Sequence, residues 1–137
     1  MPYQANYPAT VAEVLDDRIT YRPQALAAVR RLARSKPWRG TPTERFAKLQ
    51  TCLRELAPAY GIDCPRLMIG SIDCYVPAAN LIQLTPGLSV VTLLHEFGHA
   101  RGFDERQTCR WSINLFRRCF PRSFAACRQD GHCLVRN

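Results

Sequence analysis

A chain of 137 residues with 47% apolar and 22% charged side chains fits one domain with its own core, which excludes a disordered chain and a disulfide-dependent miniature alike. Its 19 Lys and Arg against 11 Asp and Glu leave a net charge of +8, and only Lys36 and Lys48 among the cations are lysines. Such a surface favours anionic partners, weak nucleic-acid association among them. No compact basic run or aromatic interleaving accompanies it, however, and an Arg-rich solvated surface is the simpler reading.

No apolar run is long enough to span a bilayer, and Met1 to Pro8 lack the basic-then-apolar order of a secretory signal. A cytoplasmic chain without membrane association is expected. The seven cysteines (Cys52, Cys64, Cys74, Cys109, Cys119, Cys127 and Cys133) include no Cys-x-x-Cys pair. They read as reduced thiols, mostly buried as small hydrophobes.

Residues 1–9 hold two prolines and little pattern, as a loose arm would. Thr10-Val11-Ala12-Glu13 has the form of a capping box and predicts a short helix to about Arg18. Pro23 suits the first turn of the next helix, with Leu26, Val29 and Leu32 at helical spacing, until Lys36–Gly40 breaks it. Thr41-Pro42-Thr43-Glu44 supplies a cap, a first-turn proline and a Glu three residues after the cap. Phe46, Leu49, Leu53 and Leu56 then share one face, so a helix to Pro58 or Gly61 follows. The pattern changes at residues 66–69, 72–76 and 80–84, short β-branched or aromatic runs that predict a small antiparallel sheet, with Pro77–Asn80 as the last turn. Ser89 caps an apolar helix to about Arg101, which Gly102 stops. Asp104 with Gln107 forms a second capping box and starts a helix with Trp111, Leu115 and Phe116 in the core, ended by Pro121. Residues 122–137 are weakly patterned. The expected fold is α+β in a single domain over 1–137.

The chemistry concentrates in His95-Glu96-Phe97-Gly98-His99. Histidines four apart on a helix lie on one face, one turn apart, and two imidazoles so placed can share a tetrahedral Zn2+. Glu96 stands beside such an ion rather than on it, placed to act as general base toward a zinc-activated water. The chain has only three histidines, and two of them are in this motif. Gly98 between them lets a strand or a substrate backbone approach. A third ligand must come from elsewhere: Asp104, Glu105 and Asp130 are the acidic residues after His99, and His132 or a cysteine is a further option. Asp104 has a ready structural role as a helix cap. His132, alone in Gly131-His132-Cys133, reads first as a surface residue. With Tyr75 and several arginines it is also a candidate oxyanion donor. Cys119, Cys127, His132 and Cys133 match no known zinc module. Trp111 reads as core packing against the motif helix.

With these residues the chain resembles the zincin metallopeptidases over residues 66–118: strands, a His-Glu-x-x-His helix, then a helix offering a third ligand. It is most similar to the minimal single-domain type, the ImmA/IrrE-like and SprT-like domains of bacteria and their mobile elements. The resemblance implies a cytoplasmic zinc hydrolase that cleaves peptide bonds in protein substrates, with Glu96 as the catalytic base. The spacing His95-Glu96-x-x-His99-x-x-Gly102-x-x-Glu105 is that of metzincins, where the glycine turns the chain back to the metal, and it makes Glu105 the preferred third ligand. The chain departs from metzincins in having Glu at that place and no Met after Met68. A substrate strand is expected along the sheet edge near Tyr75 to Leu84. The alternative function is a basic, nucleic-acid-associated regulator whose zinc site is structural or vestigial.

Overall fold

The computed structural model describes residues 7–136, and the first six residues of the expected arm lie outside them. Helices α1 (Pro23–Arg34), α2 (Pro42–Ala59), α3 (Val90–Ala100), α4 (Glu105–Cys119) and α5 (Pro121–Ala126) combine with strands β1 (Arg66–Ile69), β2 (Cys74–Val76), β3 (Leu81–Leu84), β4 (Cys127–Asp130) and β5 (Cys133–Arg136). The fold is α+β, as expected.

The helices begin where their caps dictate. In α2 the Thr41 hydroxyl accepts the Glu44 N–H at 3.1 Å, and the Glu44 carboxylate accepts the Thr41 N–H at 3.0 Å. Ser89 accepts the Thr92 N–H at the start of α3. Asp104 and Gln107 close the same reciprocal pair at the start of α4, at 2.8 and 3.0 Å. Each such cap satisfies helix N–H groups that lack an intrahelical acceptor.

One core joins α1, α2, β3, α3 and α4. Leu49, Leu53 and Leu56 of α2, Ile82 and Leu84 of β3, Leu93, Leu94 and Phe97 of α3, and Leu115 of α4 are all fully buried. At about 1.5–3 kcal/mol for each large side chain removed from water, this cluster dominates the stabilisation. Trp111 is buried there beside Phe97, with ring centroids 5.8 Å apart, as the sequence suggests.

The three-stranded sheet corrects the expectation of an antiparallel one. Its order is β1-β3-β2, with β3 antiparallel to β2 but parallel to β1. β3 inserts between the two earlier strands because it carries the sheet's fully buried residues, Ile82 and Leu84, and so takes the central place. The resulting wide turn from β1 to β2 is held from β3. Gln83 Nε2 donates to Ile72 O at 2.8 Å, and Gly70 N donates to Leu84 O at 2.9 Å. The edge expected near Tyr75 to Leu84 therefore reduces to β2, since β3 is paired on both sides.

The predicted helix from Thr10 to Arg18 does not form. Thr10 caps a single turn, and the backbone then bonds to α4 instead: Asp16 N donates to Asn114 Oδ1 and Asn114 Nδ2 donates to Val14 O, both at 2.8 Å. Tertiary hydrogen bonds replace the helical ones. Residues 7–9 are also tied down. Ala9 N donates to Glu13, and Tyr7 O accepts from Arg106. The weakly patterned tail folds as α5 and a β4–β5 hairpin whose register pairs Asp130 with Cys133 around a Gly131-His132 tip. Gly131 takes φ +59° there, the left-handed conformation such tight loops require. Val11 N donates to Gly131 O at 3.0 Å, so the N-terminal segment clasps this tip.

Candidate metal centre

Helices α3 and α4 pack directly on one another and come tightly together at Gly98. A Cβ there would fall 1.8 Å from Thr108 Oγ1 and 2.8 Å from Thr108 Cβ. The expected close approach at Gly98 is thus made by a neighbouring helix, not by a strand or substrate, because α4 returns directly across α3. The Thr108 hydroxyl donates to His95 O at 2.5 Å, locking the two helices in register. Gly102, at φ +92°, makes the return, with Phe103 N bonded to Gly98 O at 3.0 Å.

That register brings the motif histidines onto Glu105. His95 Nε2 and His99 Nε2 each lie 3.1 Å from the same oxygen, Glu105 Oε1. Ligands of a tetrahedral zinc at ordinary bond lengths stand about 3.3 Å from one another, so these two edges already have nearly the required length. His99 Nδ1 sits 2.9 Å from Phe103 O. A carbonyl can only accept, so Nδ1 carries a proton; Nε2 donates to the Glu105 carboxylate while the ring is protonated, and would offer its lone pair to a metal once that second proton is lost. Nitrogen, nitrogen and carboxylate oxygen form a donor set that suits zinc.

Two residues that the sequence offered only as lesser options join this cluster. His132, read first as a surface residue, lies at the hairpin tip with Nε2 3.2 Å from Glu105 Oε2 and its ring edge-on to Tyr7. All three histidines of the chain therefore meet one carboxylate. The Asp130-Gly131 dipeptide is a hairpin signal that could have placed His132 on a turn. Cys109, one helical turn after Glu105, lies with Sγ 3.6 Å from Glu105 Oε2 and 3.8 Å from His95 Nδ1. His95, Glu105 and Cys109 form a candidate metal-binding group with donor atoms all within 4.8 Å of one another, and His99, which meets Glu105 separately, is not part of that group. The i, i+4 spacing from Glu105 was the available signal for Cys109. Only Cys52 and Cys109 among the seven cysteines are buried, so the expectation of mostly buried thiols is corrected. Their wide spread over short surface elements leaves the rest in part or full contact with solvent. Among the described residues, Cys119, Cys127 and Cys133 do not join His132 in a second donor cluster.

Asp104 takes the cap position and Glu105 the cluster position, which separates the two rival carboxylates by role. Tyr75 is occupied by a hydrogen bond to Asn80 Oδ1 at 2.9 Å.

Electrostatics distinguish the groups further. Burial opposes ionisation of Glu105, but hydrogen bonds and positive charge from His95 and His99 win and hold its carboxyl far below the ordinary range. Its bond to Glu105 raises His99, against the effect of burial. Glu96 is 8% exposed. Burial pushes its carboxyl above the ordinary value, although His95 and His99 pull the other way. Burial and the Glu105 carboxylate push the Cys109 thiol far up, so it is a protonated donor in the metal-free cluster.

Four of the 19 Lys and Arg side chains form ion pairs among the described residues: Arg31 with Glu55, Arg106 with Glu13, Arg110 with Asp16 and Arg117 with Asp17. Among the described residues no helix is long and apolar enough to cross a membrane. No family model matches the chain, and no curated protein or solved structure matches it.

Proposed function

We propose that this chain is a zinc-dependent peptidase, with His95, His99 and Glu105 as the metal ligands and Glu96 as general base. One observation carries this reading: two imidazole Nε2 atoms one helical turn apart address the same carboxylate oxygen, each at 3.1 Å, with a buried glutamate next to the first of them. Zinc, when bound, supplies a Lewis acid that polarises a carbonyl and makes a water acidic enough to lose a proton near neutral pH.

The chain's own residues do the rest. His99, its tautomer fixed by Phe103 O, offers Nε2 as a neutral donor. Glu105, kept ionised by its neighbours, contributes the anionic oxygen. Glu96 sits where burial raises its basicity, which suits a group that takes a proton from water and returns it to the leaving amine. His132 bonds the second oxygen of Glu105 and fixes the orientation of that carboxylate. The substrate backbone lies along the edge of β2, the outer strand that packs against α3, and pairs with it as an added strand.

Glu96→Gln is expected to keep stoichiometric zinc and to lose hydrolysis of a fluorogenic peptide mixture. His95→Ala and Glu105→Ala are expected to lose the zinc itself, read by elemental analysis. Full activity in Glu96→Gln, or full zinc in Glu105→Ala, would overturn the assignment.

A further inference from the structure

A concavity lies apart from the metal cluster. It encloses about 390 Å3 between Tyr21, Arg22, Tyr60, Arg101 and one face of α4, a volume in the range of small-ligand sites. On α4 it meets Gln107, Arg110 and Trp111. At about 100° per residue, these project from the opposite side of the helix to Glu105 and Cys109.

Its lining contains three guanidiniums and no carboxylate. Arg110 is neutralised by Asp16 at 2.6 Å. Arg22 and Arg101 form no ion pair among the described residues, which include all 11 acidic side chains. Both instead lie against the ring of Tyr60, with guanidinium carbons 5.1 Å and 3.6 Å from its centroid. Arg101 is further boxed in by Phe103 at 4.4 Å and Trp111 at 5.3 Å. Arg22 spends one N–H on Ala59 O at 2.7 Å. Aromatic faces orient these cations but supply no counter-charge. Two like charges held on one ring in the lining of a cleft form a cationic fork without an anion among the described residues.

We propose that this cleft is a binding site for a phosphomonoester. Its phosphate is gripped by Arg22 and Arg101, and its organic group lies against Trp111 and Tyr21. Two uncompensated positive charges match the near-dianionic phosphate of about −1.5 to −2 at neutral pH better than a carboxylate with a single charge. Guanidinium forks also suit its oxygens in bidentate geometry. The volume exceeds that of a bare phosphate and leaves room for a ring. The site does not depend on the metal.

Calorimetric titration of the full chain with phenyl phosphate tests this, with inorganic phosphate and benzoate as comparison ligands. Saturable one-to-one binding of phenyl phosphate is expected, with benzoate weaker by about tenfold or more. Arg22→Gln and Arg101→Gln should each weaken phenyl phosphate by about tenfold, while Arg31→Gln should leave it unchanged. In a Trp38→Phe background Trp111 is the sole indole, so its fluorescence should follow the same isotherm. That readout and Arg22→Gln decide the matter if Arg101→Gln does not fold. Three results would overturn the proposal: benzoate binding as tightly as phenyl phosphate, Arg31→Gln weakening binding as much as Arg22→Gln, or no saturation by millimolar ligand. Binding that survives both cleft substitutions but disappears in Glu105→Ala would place the ligand on the metal cluster and overturn it equally.

Discussion

Replacing Gly98 by alanine probes the contact on which the proposed metal centre depends. The new Cβ would stand 1.8 Å from Thr108 Oγ1, 2.8 Å from Thr108 Cβ and 3.3 Å from Thr108 Cα. Thr108 is fully buried and its hydroxyl is committed to His95 O. Turning the hydroxyl away sacrifices that bond and still leaves two carbons closer than carbons pack, so the helices themselves must part. Overpacking of this kind costs about 1–3 kcal/mol, and loss of the hydrogen bond about 1 kcal/mol more. The better helix propensity of alanine returns about 1 kcal/mol. The net expectation is about 1–3 kcal/mol of destabilisation, measured by urea unfolding of the metal-free chain. Zinc affinity should fall with it, because His95 and His99 flank the contact on one helix while Glu105 shares the other with Thr108. Adding Thr108→Ala removes the nearest clash and should recover part of the loss, giving a double-mutant coupling of at least about 0.5 kcal/mol. A Gly98→Ala protein as stable as the parent, or strict additivity with Thr108→Ala, would refute the packing argument.

His132→Ala should weaken zinc binding by about 10–100-fold in a chelator competition, since it frees one oxygen of Glu105; unchanged affinity would remove the hairpin from the metal centre. Asn114→Ala strands the Asp16 N–H and the Val14 carbonyl and should cost about 1–3 kcal/mol in urea unfolding, and a cost near zero would show that segment 10–18 holds itself. The metal-free cluster also predicts a pH profile. Glu105 is depressed from 4.5, so its contribution is complete above that value and fades as pH falls. His99 is raised from 6.5, so its contribution is complete below that value and fades as pH rises through the folded-state value. Stability from the cluster therefore peaks between these two values. Urea midpoints across pH should show this maximum in the parent and lose it in Glu105→Gln; an identical profile in both would contradict the assignment.

What the sequence revealed depended on how local each signal is. The starts of α2, α3 and α4 were legible because a cap and its partner lie three residues apart, and both can be read from one short window. His95, His99 and Glu105 were legible for the same reason: a helix, a glycine turn and a second helix bring them together within eleven positions. Thr10 to Arg18 misled because its capping residues are genuine but its backbone finds Asn114, a partner no window contains. The direction of β1 was hidden likewise, since hydrophobic alternation in β3 says that it is buried and not which neighbour it lies beside. His132 needed two facts at once, that residues 127–136 form a hairpin and that the hairpin lands on α4. Cys109 was visible by spacing but was overshadowed by the ordinary role of cysteine as a small apolar residue.

The clasp between Val11 and Gly131 has a consequence for the order of assembly. On an emerging chain, the two helices that bear His95, His99 and Glu105 leave the ribosome before the hairpin that carries His132. The earliest part of the described chain must wait for the latest before the N-terminal segment can be fastened over that tip. Loop closure across so many residues is slow relative to the pairing of neighbouring helices. A nascent molecule would thus carry a half-dressed carboxylate for a time, and would gain its final arrangement only once the hairpin has emerged and closed on the N-terminal segment.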